Sequence, residues 1–266
     1  GIFADYYNTV PDGVINDRWL QPSGPRNRLT DAVTSGLGEL VQAAWQHLPE
    51  RWKSLTFPGA NHYDFNTPEY ARFDEIRDKK WEATRGVGHS FGANRNERPR
   101  DIVTTTELVR MLCDVVSKNG NLLIGIGPGP DGTVPDQQVA PLRGLGDWLA
   151  VNGPAIYGTR PWDVAATTTS EGTEVRFTCR ADGTDGAEGA VHALLIDLPG
   201  RRTFTLRDVD ATDVDRVALL GLDQPIGWRV TDDARLEVTL PERLPVTAAN
   251  TLVLTGRPRS TAGATD

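Results

Sequence analysis

The chain of 266 residues has a net charge of −8, with 38% hydrophobic and 24% charged residues, a composition typical of a folded globular protein and not of a disordered one. This acidic balance excludes nucleic acid as the main partner, because phosphate binding requires clustered lysine and arginine. No run of about 18 apolar residues occurs, so we predict no membrane-spanning helix and no membrane partner.

Three elements are predicted in the first fifty residues. Residues 1–7 indicate a short helix, and residues 14–19 a short strand that ends in polar side chains. Leucine, valine and alanine recur at i, i+3 and i+4 over residues 29–48, which predicts an amphipathic helix with Thr30 or Asp31 as its cap.

A second amphipathic helix is predicted over residues 104–117. Thr105 or Thr106 can cap its beginning, and Asn119-Gly120 ends it. Its apolar positions again follow the helical period and predict one buried stripe.

A short apolar run follows at residues 121–126 and suits a strand that is buried on both faces, as in parallel sheets. The glycine-rich stretch at 127–135 predicts a tight strand-to-helix loop and not a dinucleotide site, because Pro130 and an Asp-Gly turn interrupt it. A helix is predicted over 137–151. The alternation of strands and helices favours an α/β layered or barrel fold.

The pattern changes near residue 162 to short β-rich runs separated by turn residues. These runs are "TEVRFTCR", "AVHALLIDLP", "RTFTLRDV", "RVALLGL", "GWRV", "RLEVTLP" and "TLVLTGR". They predict an antiparallel β-sandwich over residues 162–259, after an α/β part over 1–161 and before a tail at 260–266.

Two cysteines are present, Cys113 in the helical pattern and Cys179 in a strand pattern. We expect both to pack as small buried residues, and a disulfide is the less frequent alternative. This favours a reducing compartment. The first residues do not have the pattern of a signal peptide, so a cytoplasmic location is favoured over secretion, although the location is left open.

The segment "NDRW" places polar groups at the carboxyl end of a predicted strand, where barrels build their chemistry. Arg18 offers a five-donor guanidinium, and Trp19 offers a flat face of the kind that sugars stack on. A surface salt bridge with a packed tryptophan is an equally weighted alternative.

Two carboxylates, Asp64 and Glu69, lie among aromatic residues in "HYDFNTPEY". Aromatic neighbours desolvate a carboxyl group and favour its protonated form, which a general acid requires. The alternative is that Thr67-Pro68-Glu69 begins a helix, with threonine as cap and proline at the first position.

The next segment, "KKWEATRGVGHSFGANRNE", mixes aromatic, acidic and amide side chains with glycines. His89 has no histidine or cysteine partner at ligand spacing, so no metal site is predicted. "HSFG" lacks the pattern of a nucleophile elbow, so a Ser-His-Asp triad is not predicted either. No cofactor is expected.

Six blocks in chain order carry a resemblance to a known family. "NDRW", "DFNTPEY", "KWEATRG", "SFGANRNE", "VSKNGNLLIGIGPGPDGTVP" and "GDWLAVNGPAIYGTRPW" closely resemble the alpha-L-fucosidases of glycoside hydrolase family 29. The resemblance implies a (β/α) TIM-like barrel followed by an antiparallel β-sandwich. Residues 1–161 would form the C-terminal half of that barrel.

The implied activity is hydrolysis of terminal alpha-linked L-fucose with retention of configuration, on an oligosaccharide or glycoconjugate. The resemblance assigns Glu69 as the acid/base and Arg18 as a sugar contact. Phe91 would pack on the methyl side of fucose. The remaining predicted substrate-binding residues, which support the site, are Trp19, Trp81 and Glu82.

Two departures from the family pattern qualify this prediction. The nucleophilic aspartate of the family lies in a Trp-rich segment that has no counterpart here, so we expect the N-terminal half of the barrel to be absent. Residues 20–60 form an insertion of unassigned role. An inactive fragment or a non-catalytic carbohydrate-binding remnant is therefore the alternative, as is a chain that does not fold stably alone. Homo-oligomerisation is left open.

Overall fold

A computed structural model describes residues 9–10, 65–70, 72–180, 189–244 and 247–261. The chain divides into two compact units, Gly1–Thr67 and Pro68–Asp266. All elements named below belong to the second unit. The elements predicted at residues 1–7, 14–19 and 29–48 lie outside the described residues.

The second unit begins with a small parallel sheet. Strand β1 (Trp81–Gly86) pairs in parallel with β2 (Gly120–Gly125), and helix α1 (Thr105–Ser117) connects them. Residues 68–70 extend the sheet, because the Tyr70 N–H donates to the Thr84 carbonyl at 3.0 Å and the Thr84 N–H donates to the Pro68 carbonyl at 3.1 Å. The carboxyl ends of β1, β2 and the segment at 68–70 therefore lie at one edge of the sheet.

This pairing corrects one alternative for the segment around Glu69. Glu69 forms a parallel bridge with Thr84, so Thr67-Pro68-Glu69 does not begin a helix. Backbone hydrogen bonds to β1 outweigh the local helix-start signal of the threonine and proline.

Helix α1 confirms the predicted helix, but its cap lies one residue earlier than Thr105. The Thr104 hydroxyl accepts from the Glu107 N–H at 3.2 Å, and the Glu107 carboxylate accepts from the Thr104 N–H at 2.7 Å. This reciprocal capping box satisfies two terminal donors, and the hydrogen bonds from Thr104 lower the pKa of Glu107. The helix ends at Ser117 with Lys118 as its C-cap, and Asn119 adopts φ of 71° before the next strand begins.

Helix α2 (Asp136–Asn152) follows the loop at 127–135, which is the tight strand-to-helix loop that we predicted. Gly132 has φ of 81°, and its N–H donates to the Gly129 carbonyl at 2.9 Å. The buried Gly127 N–H donates to the Gln138 side chain at 2.9 Å, so the first turn of α2 anchors the loop.

The rest of the unit is an antiparallel β-sandwich, as predicted. One sheet has the order β3-β4-β5-β10-β7, and the other has the order β11-β6-β9-β8. The strands are β3 (Thr159–Thr168), β4 (Glu174–Arg180), β5 (Val191–Ile196), β6 (Thr203–Asp210), β7 (Val214–Leu219), β8 (Gly227–Val230), β9 (Arg235–Thr239), β10 (Ala249–Gly256) and β11 (Arg259–Ser260).

Two strands, β3 and β11, cross the predicted domain boundaries. The predicted boundary between residues 161 and 162 lies inside β3, and Ser260, the first residue of the predicted tail, pairs with Val209. The division into residues 1–161, 162–259 and 260–266 stays a prediction.

The five-stranded sheet is buried on both faces. Its inner face packs against the four-stranded sheet through side chains such as Phe177, Leu195 and Leu252. Its outer face carries Leu194 and Ile196, which pack against α1 and α2. The continuous apolar run of β5 follows from this double burial.

Both cysteines are buried free thiols, which confirms the predicted packing. Cys113 lies between α1 and the sandwich, where burial raises its pKa to about 12. Cys179 belongs to the sandwich core. No helix in the described part of the chain is both long and apolar enough to cross a bilayer.

A buried ion network joins α1 to the sandwich. One oxygen of the Asp114 carboxylate lies 2.7 Å from the Lys118 Nζ and 3.0 Å from the Arg176 Nε. The side chains of Asp114 and Lys118 are only 8% and 9% exposed, and that of Arg176 is 17% exposed. The carboxylate therefore neutralises two cations that have little access to water.

We predict that Asp114→Asn lowers the free energy of unfolding by about 3–5 kcal/mol, because the buried Lys118 loses its counter-charge and Arg176 keeps only its pair with the exposed Glu174. Urea titration measures this change. The control is Asp197→Asn, which removes the exposed pair with Arg110 and should cost less than about 1 kcal/mol. Equal losses in the two variants would contradict the assigned importance of burial.

A second stability prediction concerns His192 on β5, which is 3% exposed. Burial, with a smaller effect from the Arg180 charge, lowers the pKa of His192 to about 4. Since the unfolded pKa is about 6.5, the unfolded chain binds the proton more tightly. The stabilisation is complete above pH 6.5 and is lost as the pH falls towards 4, by on the order of 3 kcal/mol.

Unfolding titrations of wild type and His192→Gln at pH 7 and pH 4 measure this effect. The wild type should lose more stability than the variant between the two pH values. Parallel losses in both proteins would contradict the buried neutral histidine.

Candidate functional site

The carboxyl ends of residues 68–70, β1 and β2 form the edge at which the predicted site residues can meet. Glu69 is at the end of its segment and pairs with Thr84 on β1. Glu69 is exposed, so the described residues do not enclose it in the aromatic environment that we expected. Asp64 and Tyr63 lie outside the described residues.

The two faces of β1 differ in chemistry. Trp81 and Ala83 point towards α1 and pack with Met111 and Val115. Strand alternation places Glu82 on the opposite face. Glu69, as the partner of Thr84, shares this face with Glu82.

On β2 the same face carries Asn121 and Leu123, the register partners of Glu82 and Thr84. Leu123 is 43% exposed, so the expectation that this strand is buried on both faces is wrong for the described residues. Among the described helices, α1 packs on the Trp81 and Ala83 face, and none packs on the Leu123 face. The open face therefore presents Glu69, Glu82 and Asn121 beside an apolar side chain.

Trp81, which was predicted as a substrate-binding residue that supports the site, lies on the helix side of the sheet. Its ring is 2% exposed, lies edge-on to Phe73 at 4.7 Å and donates from Nε1 to the Lys118 carbonyl at 2.9 Å. The ring also occupies the space beside Gly120, where a Cβ would lie 2.5 Å from it. Trp81 therefore supports the sheet from the helix side, which is a packing role.

Tyr70 follows Glu69 and connects it to the neighbouring loop. The Tyr70 hydroxyl accepts from the Gly86 N–H at 3.1 Å and donates to the His89 carbonyl at 3.0 Å. The ring lies edge-on to Phe91, with the centroids 5.5 Å apart. From the sequence, Tyr70 is recognisable only as an aromatic neighbour of Glu69, because strand pairing sets its partners.

Phe91 lies in the loop after β1 and is 42% exposed. Its ring approaches Gly125 so closely that a Cβ there would lie 3.4 Å from a ring carbon. Phe91 and Tyr70 thus form an exposed aromatic pair at the same edge as Glu69.

The loop that carries Phe91 is held by its own polar groups. The Glu97 carboxylate accepts from the Ser90 N–H at 2.9 Å, and the Asn94 amide donates to the Ser90 hydroxyl at 2.9 Å. Gly88 leaves the space that the Glu97 carboxylate fills. These contacts set the path of the loop independently of any ligand.

Arg85 lies beside the Tyr70 ring. Its Nε donates to the Gly86 carbonyl at 2.9 Å, and its guanidinium carbon lies 5.4 Å from the Tyr70 ring centroid. Burial is the main cause that lowers the pKa of Arg85. No local sequence signal indicates Arg85 as a site residue.

The remaining expectations concern Arg18, Trp19 and a metal site at His89. Arg18 and Trp19 lie outside the described residues, and their roles stay predictions. The His89 side chain is 76% exposed, and its Nε2 is 4.0 Å from Asp101. Within the described ranges, no three or more histidine, cysteine or acidic side chains are grouped to hold a metal ion.

The chemistry at this edge combines a carboxyl group with two exposed aromatic rings. A carboxyl can transfer a proton to or from a bound ligand. Aromatic faces bind the apolar side of a ligand that is otherwise polar. This combination suits a small polar ligand with one apolar part.

Comparisons with known proteins agree on one family. The family model described as alpha-L-fucosidase matches residues 11–154. The alpha-L-fucosidase of Dictyostelium discoideum is 29% identical over 230 residues, which are 77% of this chain and 48% of that protein. The tissue alpha-L-fucosidase of Homo sapiens is 28% identical over 197 residues, 72% of this chain and 40% of that protein.

Solved structures give the same result. A structure described as alpha-L-fucosidase has a TM-score of 0.72 at 32% identity, covering 96% of this chain and 48% of its own. The Thermotoga maritima alpha-fucosidase in complex with fucose has a TM-score of 0.69 at 32% identity, with the same coverages of 96% and 48%. The chain thus spans about half the length of these relatives.

The close approach of the Ser90 backbone to Gly86, at the end of β1, leads to a testable prediction. A Cβ on Gly86 would collide with the backbone carbonyl of Ser90, whereas nothing lies within 4 Å of one on Gly92. We expect Gly86→Ala to lower the free energy of unfolding by about 1–3 kcal/mol, since backbone must move to admit the methyl group.

Gly92→Ala, the matched control in the same loop, should change the free energy of unfolding by less than about 0.5 kcal/mol. Denaturant titration of both variants measures the difference. Similar values for the two would show that the loop can move away from β1 freely.

Proposed function

The chain belongs to the alpha-L-fucosidase family, and we propose that the protein is a retaining exo-alpha-L-fucosidase that releases terminal alpha-linked L-fucose from an oligosaccharide or glycoconjugate. The family match and the similarity to a fucosidase structure containing fucose support this activity. The observation that carries the proposal for this chain is the meeting of Glu69, Tyr70 and Phe91 at one strand edge.

The proposal includes an architecture. Residues 1–161 would form the C-terminal half of a (β/α) barrel, and residues 162–259 the sandwich domain. Three parallel segments with α1 on one face support this assignment, because the face that no described helix covers would be the barrel interior. A barrel builds its active site where the carboxyl ends of its strands meet, which is the edge that carries Glu69.

In the proposed reaction, this chain supplies the acid/base carboxyl group. Retention requires two carboxyl groups about 5–5.5 Å apart, one as nucleophile and one as acid/base. Glu69 would protonate the departing glycosidic oxygen and then deprotonate the incoming water. The family resemblance assigns the nucleophile to an aspartate in a segment without a counterpart in these residues, and neither Asp17 nor Asp64 is proposed to replace it.

The aromatic pair would contribute substrate recognition. L-Fucose carries a methyl group where L-galactose carries a hydroxymethyl group, so an apolar ring at that position favours fucose. Phe91, exposed beside Tyr70, is the proposed contact. Arg18, Trp19 and Glu82 are proposed to bind or orient the sugar.

We predict that Glu69→Ala in the active protein lowers kcat/KM by roughly 10²–10⁴-fold on fucosides with poor leaving groups, because these need protonation as they depart. Activated aryl fucosides should lose much less. Steady-state kinetics on a series of aryl fucosides, whose leaving phenols decrease in acidity, measures this dependence.

Glu75→Ala is the matched control, since Glu75 is also exposed and lies outside the proposed site. It should behave as wild type across the series. An equal loss for Glu69→Ala on all leaving groups would argue against the acid/base role. Fucose binding without turnover in the wild type would instead support a carbohydrate-binding role.

A further inference from the structure

We propose that Tyr70 is the positioning residue that sets the relative placement of Glu69 and Phe91. The inference rests on the proposed function for its kinetic consequences, but its structural basis is independent of any activity. Tyr70 joins the strand end that carries the carboxyl group to the loop that carries the aromatic ring.

The backbone of Tyr70 is held in an unfavourable conformation. Its φ is 50°, in the left-handed region that a bulky side chain seldom adopts. Such a conformation persists only where surrounding interactions determine it, and it is typical of functional sites. The turn at Tyr70 ends the extended segment directly after Glu69.

The phenol of Tyr70 takes the place of a backbone group in the sheet. A regular parallel ladder would continue from the Tyr70 N–H and Thr84 carbonyl to a bond from the Gly86 N–H to the Tyr70 carbonyl. The observed partner of the Gly86 N–H is instead the Tyr70 hydroxyl, at 3.1 Å. The Tyr70 hydroxyl therefore accepts the hydrogen bond that the Tyr70 carbonyl would accept in a regular ladder.

The same hydroxyl also reaches the next loop. It donates its proton to the His89 carbonyl at 3.0 Å, two residues before Phe91. The edge-on contact of the two rings at 5.5 Å adds a second connection. Glu69 and Phe91 are therefore linked through one side chain.

A simple role in core packing does not account for these contacts. Tyr70 is 47% exposed, so its side chain fills little interior volume. Its hydrogen bonds and ring contacts with the described residues are to residues 84–91. The arrangement fits a residue that acts through Glu69 and Phe91 rather than one that stabilises the unit as a whole.

Tyr70→Phe tests the inference in the active protein, because it keeps the ring and removes both hydroxyl bonds. We expect kcat/KM to fall about tenfold or more on fucosides with poor leaving groups, and less on activated ones, since a misplaced acid fails mainly where protonation is needed. The preference for an aryl alpha-L-fucoside over the matching alpha-L-galactoside should also fall, by about tenfold.

Tyr157→Phe is the matched control, because Tyr157 is 63% exposed and lies outside the proposed site. It should change neither the leaving-group dependence nor the sugar preference. A loss in Tyr70→Phe that is uniform across leaving groups and sugars, or no loss, would overturn the inference.

Amide hydrogen exchange separates this inference from the proposed function. In Tyr70→Phe, the amides of Gly86 and residues 89–91 should exchange faster, while those of α1 stay unchanged. A wild type without fucosidase activity would refute the proposed function, yet this exchange pattern would still support the positioning role. Unchanged exchange at these amides would overturn the positioning role whatever the activity.

Discussion

Helix α1 has to bury two faces, and the second unit is organised around this requirement. Met111 and Val115 pack against the parallel sheet, while Val109 and Cys113 pack against the outer face of the sandwich. Each fully buried side chain of this kind contributes about 1.5–3 kcal/mol, so removing either neighbour would expose a large apolar surface. The sheet at the candidate site and the sandwich are thus parts of one compact unit.

Polar groups make this packing specific. The Asp114 carboxylate binds Lys118 from its own helix and Arg176 from β4, so it determines how α1 rests on the sandwich. On α2, the Trp148 indole donates to the Ala249 carbonyl at 2.8 Å, and Asn152 accepts from the Thr251 hydroxyl at 2.8 Å. Buried polar groups that need particular partners allow few alternative arrangements of helix and sheet.

The candidate site uses the sheet in a different way from the core. Trp81 and Glu82 are neighbours in the chain, yet one is buried against α1 and the other lies on the open face. Of the proposed site residues that the structure describes, Glu69 and Glu82 lie on that face, and Phe91 lies at its carboxyl edge. Tyr70 stabilises this edge, because its hydroxyl accepts from the Gly86 N–H, a backbone donor that has no carbonyl partner on the segment at 68–70.

Local sequence determined much of this protein. The helices after residues 104 and 136, the loop between β2 and α2, and most strands of the sandwich follow from periodicity, turn residues and caps, which depend on positions close together in the chain. The six blocks also determined the family, because residue identities carry that information. The tertiary structure alone decided the pairing of Glu69 with Thr84, the burial of Trp81 and the exposure of Leu123. It also decided the contacts of Tyr70 with Gly86 and Phe91. These features depend on which segments meet across the sheet, and residues 15 to 39 positions apart carry no local signal of that meeting.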